Sequence, residues 1–394
     1  MSEAVRYPSL IIKDPATARV GRGHSWVFSN DVLRLEGEVA QGAEVAVRSN
    51  AGEFYGTALY NKHALITARI FSRKSEPFTE EMIRARIADA ADRRKRQFTD
   101  RNAWRLIFSD SDGLPGLVVD QYDNVLSAQF LTLAMDQRKD LVVKILKDVI
   151  NPIAIVERSD APARLNEGLE EIKGVLFGEI PEDLVVTLYG LKFRVDPLDG
   201  QKTGMYLDQV ENWNLMKVYA PGKKVLDLFS HIGGFSLNAA KAGATFVKAV
   251  DSSDSALSQL MFNAVRNGLD GQIKAKKGDA FQYVRAMPEM YDVIVCDPPP
   301  FARSKKQLET ALRGYRELNR HCLKMLNPGG VLISASCSAA VGEADFDKML
   351  SLAAKDAKRQ IRVLPGGGQP ADHAPLISMP ETHYLKIRIV EAVD

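Results

Sequence analysis

Two side chains able to do covalent chemistry follow apolar segments in the last third of the chain. Cys337 follows the segment Val331–Ala335 and stands between two serines, and Asp297 follows an earlier segment that ends at Cys296. Parallel strands end at the same edge of a sheet, so we expect the thiol and the carboxylate to meet there. A thiolate next to a carboxylate is what methylation of a pyrimidine carbon requires.

The chemistry assigns a separate role to each group. Carbon 5 of cytosine is a poor nucleophile, but addition of a thiolate to carbon 6 makes it reactive. Cys337 is predicted to be this nucleophile, and Asp297 to stabilise the adduct at ring nitrogen 3. Three prolines after Asp297 lack N–H donors and are stiff, so they could hold a loop around an extruded base. The other two cysteines, Cys296 and Cys322, lie among apolar residues and are predicted to be core.

A turn between a predicted strand and a helix indicates a cofactor site. Asp227, Phe229, Ser230 and Gly233 lie in or beside this turn. Its glycine would let a ligand approach the backbone closely, but the turn lacks the G-x-G-x-x-G pattern, and Asp227 would repel phosphates. A ligand without phosphates and with a cationic, amino-acid-like end fits better, which predicts S-adenosylmethionine.

Acidic residues after the next two strands extend this site. Asp251 is placed to accept hydrogen bonds from ribose hydroxyls, and Asp279, followed by Ala280, to hold the adenine amino group. Each acid alone is typical of a helix cap, whereas the recurrence after successive strands favours a binding site. Three cysteines without a C-x-x-C pair argue against a zinc site or a disulfide framework, and we expect no metal and a reducing cytoplasm.

The elements that must position these residues form the C-terminal half of a two- or three-domain chain of 394 residues. From residue 189 to 394, strands alternate with helix-length segments, which predicts a doubly wound parallel α/β sheet. Residues 1–78 read as a small β-domain, and residues 79–188 as an α+β domain. No apolar stretch is long enough to predict a membrane span.

The first two domains are candidates for an RNA contact, although the net charge is only +2. Basic and aromatic residues interleave around Arg22, His24 and Trp26, as on single-stranded RNA platforms. A predicted helix carries Arg93, Arg94, Lys95 and Arg96 in succession. Such a run is either a solvated helix face or a polyanion contact, and the Trp and its neighbours could equally belong to a small core.

At this point the chain resembles the bacterial RlmI-type 23S rRNA 5-methylcytosine methyltransferases. The resemblance covers nearly the whole chain, and as an ordered set its motifs are specific. These motifs are His24–Phe28, Ser111–Gly116, Arg158–Asp160, Glu167–Leu169, Lys202–Gln209, Phe229–Phe235, Asp297–Pro299, Arg313–Tyr315, Ser336–Ser338 and Ala371–His373.

The resemblance implies a PUA RNA-binding domain, a central domain and a class I methyltransferase domain. It also implies that Tyr206 and Gln209 border the cofactor pocket, that Cys337 is the catalytic thiol, and that 23S rRNA is the substrate. Whether the substrate is naked RNA or an assembling large subunit stays open, as does a homodimer.

Two alternatives from other classes remain. An N-methylating RNA enzyme would grip an exocyclic amine with Asp297, Pro298 and Pro299, usually with an aromatic residue after the second proline, where this chain has Pro300. A non-catalytic RNA-binding assembly factor could keep the same fold, but would be expected to lose some of the acids or Cys337. A small-molecule methyltransferase is disfavoured by the additional β-domain and the basic helix.

Overall fold

The computed structural model describes residues 7–287, 289–302 and 304–393. These residues form two compact units. Unit 1 takes its described residues from Met1–Val186, Val195–Leu207 and Ala371–Thr382, and unit 2 from Thr187–Arg194, Asp208–Pro370 and His383–Asp394. The predicted division into three domains stays a prediction.

A six-stranded sheet occupies the first part of unit 1. Its strands are β1 (Ser9–Ile12), β2 (Trp26–Phe28), β3 (Val32–Glu36), β4 (Glu44–Ser49), β5 (Phe54–Tyr60) and β6 (Ile66–Ser72), with helix α1 (Asp14–Gly21). The order is β2-β6-β5-β4-β1-β3. The sequence predicts strands at Ala43–Arg48, Phe54–Tyr60 and Leu65–Phe71, and these correspond to β4, β5 and β6. It does not predict the first three strands or α1, because these elements have only three to eight residues.

A five-stranded sheet with helices on it forms the second part of unit 1. Its elements are α2 (Glu80–Gln97), β7 (Ala103–Phe108), β8 (Leu117–Tyr122), β9 (Val125–Phe130), α3 (Leu133–Asp136), α4 (Lys139–Ile150), β10 (Ala154–Ser159) and β11 (Ile172–Gly178). The strand order is β11-β10-β9-β8-β7. Thr79 caps α2 by accepting a hydrogen bond from Met82 N, and Ile83, Ile87 and Ala90 point into the core at helical spacing.

Unit 2 is built on a seven-stranded sheet that follows the hairpin of β12 (Val185–Leu188) and β13 (Leu191–Arg194). Its strands are β14 (Lys224–Leu228), β15 (Phe246–Asp251), β16 (Ile273–Lys277), β17 (Tyr291–Cys296), β18 (Leu326–Ser336), β19 (Ile361–Leu364) and β20 (Lys386–Ala392). Its helices are α5 (Val210–Asn214), α6 (Met216–Tyr219), α7 (Gly234–Lys241), α8 (Asp254–Arg266), α9 (Ala280–Ala286), α10 (Leu308–Lys324) and α11 (Glu343–Ala357).

The strand order β16-β15-β14-β17-β18-β20-β19 defines where a ligand can bind. Strands β14 to β18 are parallel, and β20 runs antiparallel to both β18 and β19. The chain leaves β14 toward β15 on one side and returns to β17 on the other, so the crevice at the carboxyl ends of β14 and β17 is the topological switch point. The doubly wound α/β sheet predicted from the sequence is therefore present.

The sequence predicts a last strand at His383–Val390, but this strand begins later in the structure. Strand β20 starts at Lys386, because the backbone N–H groups of Tyr384 and Leu385 both donate to Gln369 Oε1. A side chain rather than a neighbouring strand satisfies these two donors, so the ladder cannot extend through them.

None of the helices in the described part of the chain combines the length and the apolar character needed to cross a lipid bilayer.

Candidate active site

The register of the central strands brings the predicted site residues to one edge of the sheet. Leu228 of β14 pairs with Val250 of β15 and with Cys296 of β17. The next residue on each strand is Phe229, Asp251 and Asp297, and these three are therefore neighbours at the switch point. Cys296 pairs in turn with Ser334 of β18, so the chain reaches Cys337 just beyond the same edge.

The turn after β14 has an unusual backbone. Phe229, His231 and Gly233 have φ values of 61°, 47° and 89°, and two of these left-handed residues are not glycine. A non-glycine residue in this conformation costs about 1–3 kcal/mol and persists only where its surroundings impose it. The Asp251 carboxylate is one such constraint, because its Oδ2 accepts from His231 N at 2.9 Å. Asp251 thus fixes the shape of the turn from the neighbouring strand.

The two glycines of this turn are required by packing inside unit 2. A Cβ on Gly233 would lie 2.7 Å from Leu260 Cγ, and one on Gly234 would lie 2.1 Å from the Trp213 indole. We expected the glycine to admit a ligand. Close contacts with Leu260 and Trp213, together with the positive φ of Gly233, already explain both residues, so their presence alone does not indicate a ligand.

Asp227 is a buried carboxyl near the carboxyl end of β14. Its side chain is 1% exposed, and Oδ2 accepts from Ser236 Oγ at 2.6 Å. Burial raises its pKa to about 7, and the nearby negative charge of Asp251 acts in the same direction. Asp227 is thus held by α7, and near neutral pH it carries less charge than the sequence analysis assumed.

Ser230 offers a polar atom that the described protein residues do not use. The side chain is 5% exposed, and Oγ has no hydrogen-bond partner among the described residues. A buried hydroxyl without a partner costs free energy, which a bound ligand would recover. The Ser230 hydroxyl can donate or accept a hydrogen bond, and the Asp251 carboxylate on the next strand can accept one. A nucleoside with an amino-acid end requires both kinds of group.

The acid at the end of β15 and the acid after β16 also accept hydrogen bonds from the protein backbone. Asp251 Oδ1 accepts from Ser253 N at 2.9 Å, and Asp279 Oδ1 accepts from Gln282 N at 2.8 Å as the N-cap of α9. The residue after Asp279, Ala280, is buried in the core. A carboxylate has about four acceptor positions, so these backbone contacts are compatible with ligand hydroxyl and amino groups.

A chain of amide hydrogen bonds orients Asp297. Gln209 Nε2 donates to Asp297 Oδ2 at 2.8 Å, and Asn212 Nδ2 donates to Gln209 Oε1 at 2.8 Å. The last member of this chain of hydrogen bonds is Gly368. Its backbone N–H can only donate, and its nitrogen lies 3.0 Å from Asn212 Oδ1. This one N–H fixes which end of Asn212 is the acceptor, and hence that Gln209 presents its NH₂ group to the carboxylate.

Cys337 differs from the other two cysteines in its surroundings. It is half-buried, and its Sγ lies 4.0 Å from the carbonyl oxygen of Pro298, whereas Cys296 and Cys322 are fully buried in the core of unit 2. The loops on both sides of the thiol are joined by Ser338, whose Oγ accepts from Ala302 N at 3.3 Å. The loop after β17 thus lies directly against Cys337.

Tyr206 belongs to unit 1. Its ring centroid is 4.5 Å from the Lys202 ammonium, also in unit 1, whereas Gln209 belongs to unit 2. The role of Tyr206 at the cofactor, which the family resemblance implies, stays a prediction.

The N-terminal RNA candidates differ in accessibility. Arg22 is exposed, but His24 is 3% exposed, with Nε2 3.2 Å from Glu381. Trp26 is half-buried, and its Nε1 donates to Asp110 at 3.1 Å. The interleaved segment therefore presents Arg22 to solvent, while His24 and Trp26 are partly engaged inside unit 1.

The basic run on α2 also divides into two kinds of residue. Arg94 is 3% exposed, and its Nη2 lies 2.7 Å from Asp112 Oδ2; Arg93 also pairs with Asp112, at 2.7 Å. Lys95 and Arg96 are exposed. Arg94 thus cannot reach an RNA phosphate in this conformation, which corrects its assignment as an RNA-binding residue, because its guanidinium is enclosed by protein acceptors.

Two residues near the site were not identified from the sequence. Asn212 orients Gln209, and Lys386 donates from Nζ to the Ser338 carbonyl at 2.7 Å. Neither stands in a distinctive local pattern. Only the register of β20 on β18, which pairs Lys386 with Ser336, places the ammonium beside the Cys337 segment.

Comparison with known proteins gives a consistent family assignment. Residues 10–73 match the PUA-like domain family, and residues 171–363 match the S-adenosylmethionine-dependent methyltransferase family. A solved structure, SMU.776, assigned as a methyltransferase and complexed with SAH, is 25% identical, with a TM-score of 0.84 over 98% of this chain and 100% of that chain. The fold is thus a class I methyltransferase sheet with an N-terminal PUA-like domain, and S-adenosylmethionine is the cofactor.

Two curated relatives extend over nearly the full chain. The ribosomal RNA large subunit methyltransferase I of Vibrio cholerae is 37% identical, over 96% of this chain and 98% of the relative. The protein of the same name from Vibrio campbellii is also 37% identical, over 93% and 95%. The chain therefore belongs to the ribosomal RNA large subunit methyltransferase I family.

Proposed function

We propose that this protein methylates carbon 5 of a cytosine in large-subunit rRNA, with Cys337 as covalent nucleophile and Asp297 as the group at ring nitrogen 3. The observation that carries the proposal is the contrast among the cysteines. Cys337 is half-buried at the carboxyl edge of the central sheet, whereas the core encloses Cys296 and Cys322 completely.

The reaction can be written for the residues at this edge. The Cys337 sulfur forms a bond to carbon 6 of the ring, and the electrons of the 5,6 double bond become available at carbon 5. S-adenosylmethionine, when bound, supplies an electrophilic methyl group. A base then removes the proton from carbon 5, and the sulfur–carbon bond breaks as the double bond returns. Asp297, held by Gln209, shares a proton with ring nitrogen 3, and this proton neutralises the negative charge that develops on the ring during the addition.

Residues around the strained turn are proposed to hold the cofactor. Ser230 offers its buried hydroxyl, and Asp251 keeps acceptor positions for ribose. Asp279 is placed for the adenine amino group. Further proposed cofactor contacts are Tyr206, Gln209, Asp227, Phe229, Gly233, Ala280 and Asp297.

The rRNA substrate is supported by family membership and by the PUA-like domain. Among the basic residues predicted for RNA, the exposed Arg22, Lys95 and Arg96 are the ones we propose to contact phosphates. The buried Arg94 is excluded from this set.

Trapping the covalent intermediate tests the proposal. Fluorine at carbon 5 cannot leave as a proton does, so rRNA fragments carrying 5-fluorocytosine should form a denaturation-resistant adduct with the wild-type protein and cofactor. Peptide mass spectrometry should locate the adduct at Cys337. Cys337→Ala should lose both the adduct and the 5-methylcytosine, with activity below the detection limit.

Cys296→Ala and Cys322→Ala are the matched controls, and both should keep adduct formation because neither thiol is exposed. They should show only a packing loss, of about 1–2 kcal/mol for the small volume removed. Methylation by Cys337→Ala near the wild-type rate would exclude carbon-5 chemistry and favour N-methylation built on Asp297. Absence of methylation by the wild-type protein on all rRNA forms would favour a non-catalytic RNA-binding factor.

A further inference from the structure

Lys386 is a buried cation next to the Cys337 segment. It is the first residue of β20 and pairs in register with Ser336, one residue before the cysteine. The side chain is 3% exposed, and Nζ donates to the carbonyl oxygens of Ser338 and Tyr384 at 2.7 and 2.6 Å. The Lys386 ammonium is therefore held in place by two backbone carbonyl groups, one directly after Cys337 and one just before β20.

The position of this ammonium is costly for the fold. Within the described part of the chain, Lys386 has no carboxylate within 4.0 Å, although a buried ion normally needs an opposite charge. Burial lowers the pKa of Lys386 to about 8. The negative charges of the Cys337 thiolate and the Glu343 carboxylate oppose this decrease. A neutral side chain could fill the same space at a lower cost in folding free energy. The stability of the fold therefore does not explain the charge of Lys386.

Two carboxylates, Asp297 and Glu343, lie near Cys337 or Lys386, and a negative charge beside the thiol opposes its ionisation. Asp297 stands beside Pro298, whose carbonyl oxygen lies 4.0 Å from the sulfur. Glu343, at the start of α11, is paired with Arg388 at 3.2 Å and with His383 at 3.6 Å. From α10, Tyr315 donates to or accepts from Ser338 Oγ at 2.9 Å, and burial raises its pKa, so it stays neutral.

We propose that Lys386 is a positioning residue that keeps Cys337 in the thiolate form by placing a fixed ammonium beside it. The thiol proton leaves to solvent, Lys386 keeps its three protons, and the two charges stabilise each other in a region of low dielectric. This inference rests on the proposed function, because a thiolate is needed only if Cys337 is the nucleophile. Lys386 itself forms no bond to the base or to the cofactor.

The test measures thiol reactivity without any methylation. The full-length protein is treated with iodoacetamide between pH 5 and 10, and the alkylation rate of Cys337 is followed by peptide mass spectrometry. In the wild-type protein, the half-maximal rate should be reached well below pH 8, whereas a free cysteine titrates near about 8.5. In Lys386→Gln the midpoint should move up by one pH unit or more, with about tenfold less reaction at pH 7.

Lys386→Arg is the matched variant, because it keeps the charge and changes the shape. Its midpoint should stay near the wild-type value. The same midpoint in wild type and Lys386→Gln would overturn the proposal, and so would equal shifts in the Gln and Arg variants, which would indicate a packing effect. If Lys386→Gln does not fold, the wild-type midpoint decides alone, since a value of about 8.5 or higher contradicts the proposal.

The outcome is separable from that of the adduct experiment. A low midpoint that depends on Lys386, together with no adduct on 5-fluorocytosine, would leave the charge pair standing and reject the cytosine chemistry. An adduct at Cys337, together with no effect of Lys386→Gln on the midpoint, would support the cytosine chemistry and reject the role of Lys386.

Discussion

Four buried arginines in unit 1 and the buried Lys386 in unit 2 have different kinds of partner. In unit 1, four buried arginines each lie within 3.1 Å of a carboxylate: Arg94 with Asp112, Arg101 with Asp372, Arg158 with Asp160 and Arg164 with Asp136. In unit 2, the buried Lys386 has two carbonyl oxygens as hydrogen-bond acceptors. Unit 2, which carries the proposed chemistry, thus keeps a buried cation that has no carboxylate within 4.0 Å among the described residues.

This difference distinguishes charges that stabilise the fold from charges that are proposed to act on a substrate or a reactive group. Asp372 shows the structural kind, since its Oδ2 lies 3.1 Å from Arg101 Nη2 and accepts from Arg105 N at 3.0 Å. Burial opposes its ionisation, but His373 and Arg101 outweigh this effect and lower the Asp372 pKa to about 2. A charge satisfied this completely has no capacity left for a substrate, whereas the roles proposed for Lys386 and Asp297 depend on an electrostatic effect on a neighbouring group.

The largest effect should follow from breaking the pairing in unit 1. Asp372→Asn keeps the shape but leaves Arg101 buried without a carboxylate, so we expect a loss of about 3–5 kcal/mol in the free energy of unfolding. Denaturant titration followed by tryptophan fluorescence measures it. The control is Asp356→Asn in the partly exposed pair with Arg316, which should leave the midpoint almost unchanged. A loss in Asp372→Asn no larger than in the control would contradict the structural role.

The same carboxylate gives a pH dependence with a defined sign. Its pKa is about 2 in the folded protein, below the ordinary value. Its stabilisation should therefore be complete above about pH 4 and disappear as the pH falls toward 2, because the unfolded chain binds the proton first. Asp372→Asn should lack this component of the acid transition.

A smaller effect, on binding rather than folding, is expected at the proposed cofactor site. Asp251→Ala should weaken S-adenosylmethionine binding by roughly 1–3 kcal/mol, because ribose hydroxyls would lose their acceptor in a partly closed pocket. Isothermal titration calorimetry measures the change. Asp254→Ala, three residues later at the start of α8 and exposed, is the control and should keep the wild-type affinity. Unchanged affinity in Asp251→Ala would remove this residue from the site.

The smallest effect should come from the exposed charges on α2. Replacing Lys95 and Arg96 together by alanine should weaken rRNA binding and reduce the slope of log affinity against log salt by about one to two. Filter binding over a range of salt concentrations tests this. Lys348→Ala with Lys355→Ala, also exposed, should leave the slope unchanged. Equal slopes in both double variants would place the RNA contact elsewhere.

Local patterns in the sequence predicted most of the elements around the site. The sequence predicts strands at Phe246–Asp251 and Ile273–Lys277, and both have these bounds in the structure. The first is a short, mostly buried parallel strand with clear ends. The class of cofactor also followed from local features, namely acids after successive strands and a turn unsuited to phosphates. The role of the glycines did not follow, because their neighbours Leu260 and Trp213 are distant in sequence.

The sequence alone thus determined the α/β sheet, the edge at which Asp297 and Cys337 stand, and the family. The tertiary structure decided which charges are available. In the run Arg93–Arg96, one arginine is buried against Asp112 and two neighbours are exposed, a distinction that depends on which face of α2 packs on the sheet. Lys386 is 49 residues from Cys337 along the chain, and only the antiparallel pairing of β20 with β18 brings its charge to the thiol, because register is set by long-range contacts.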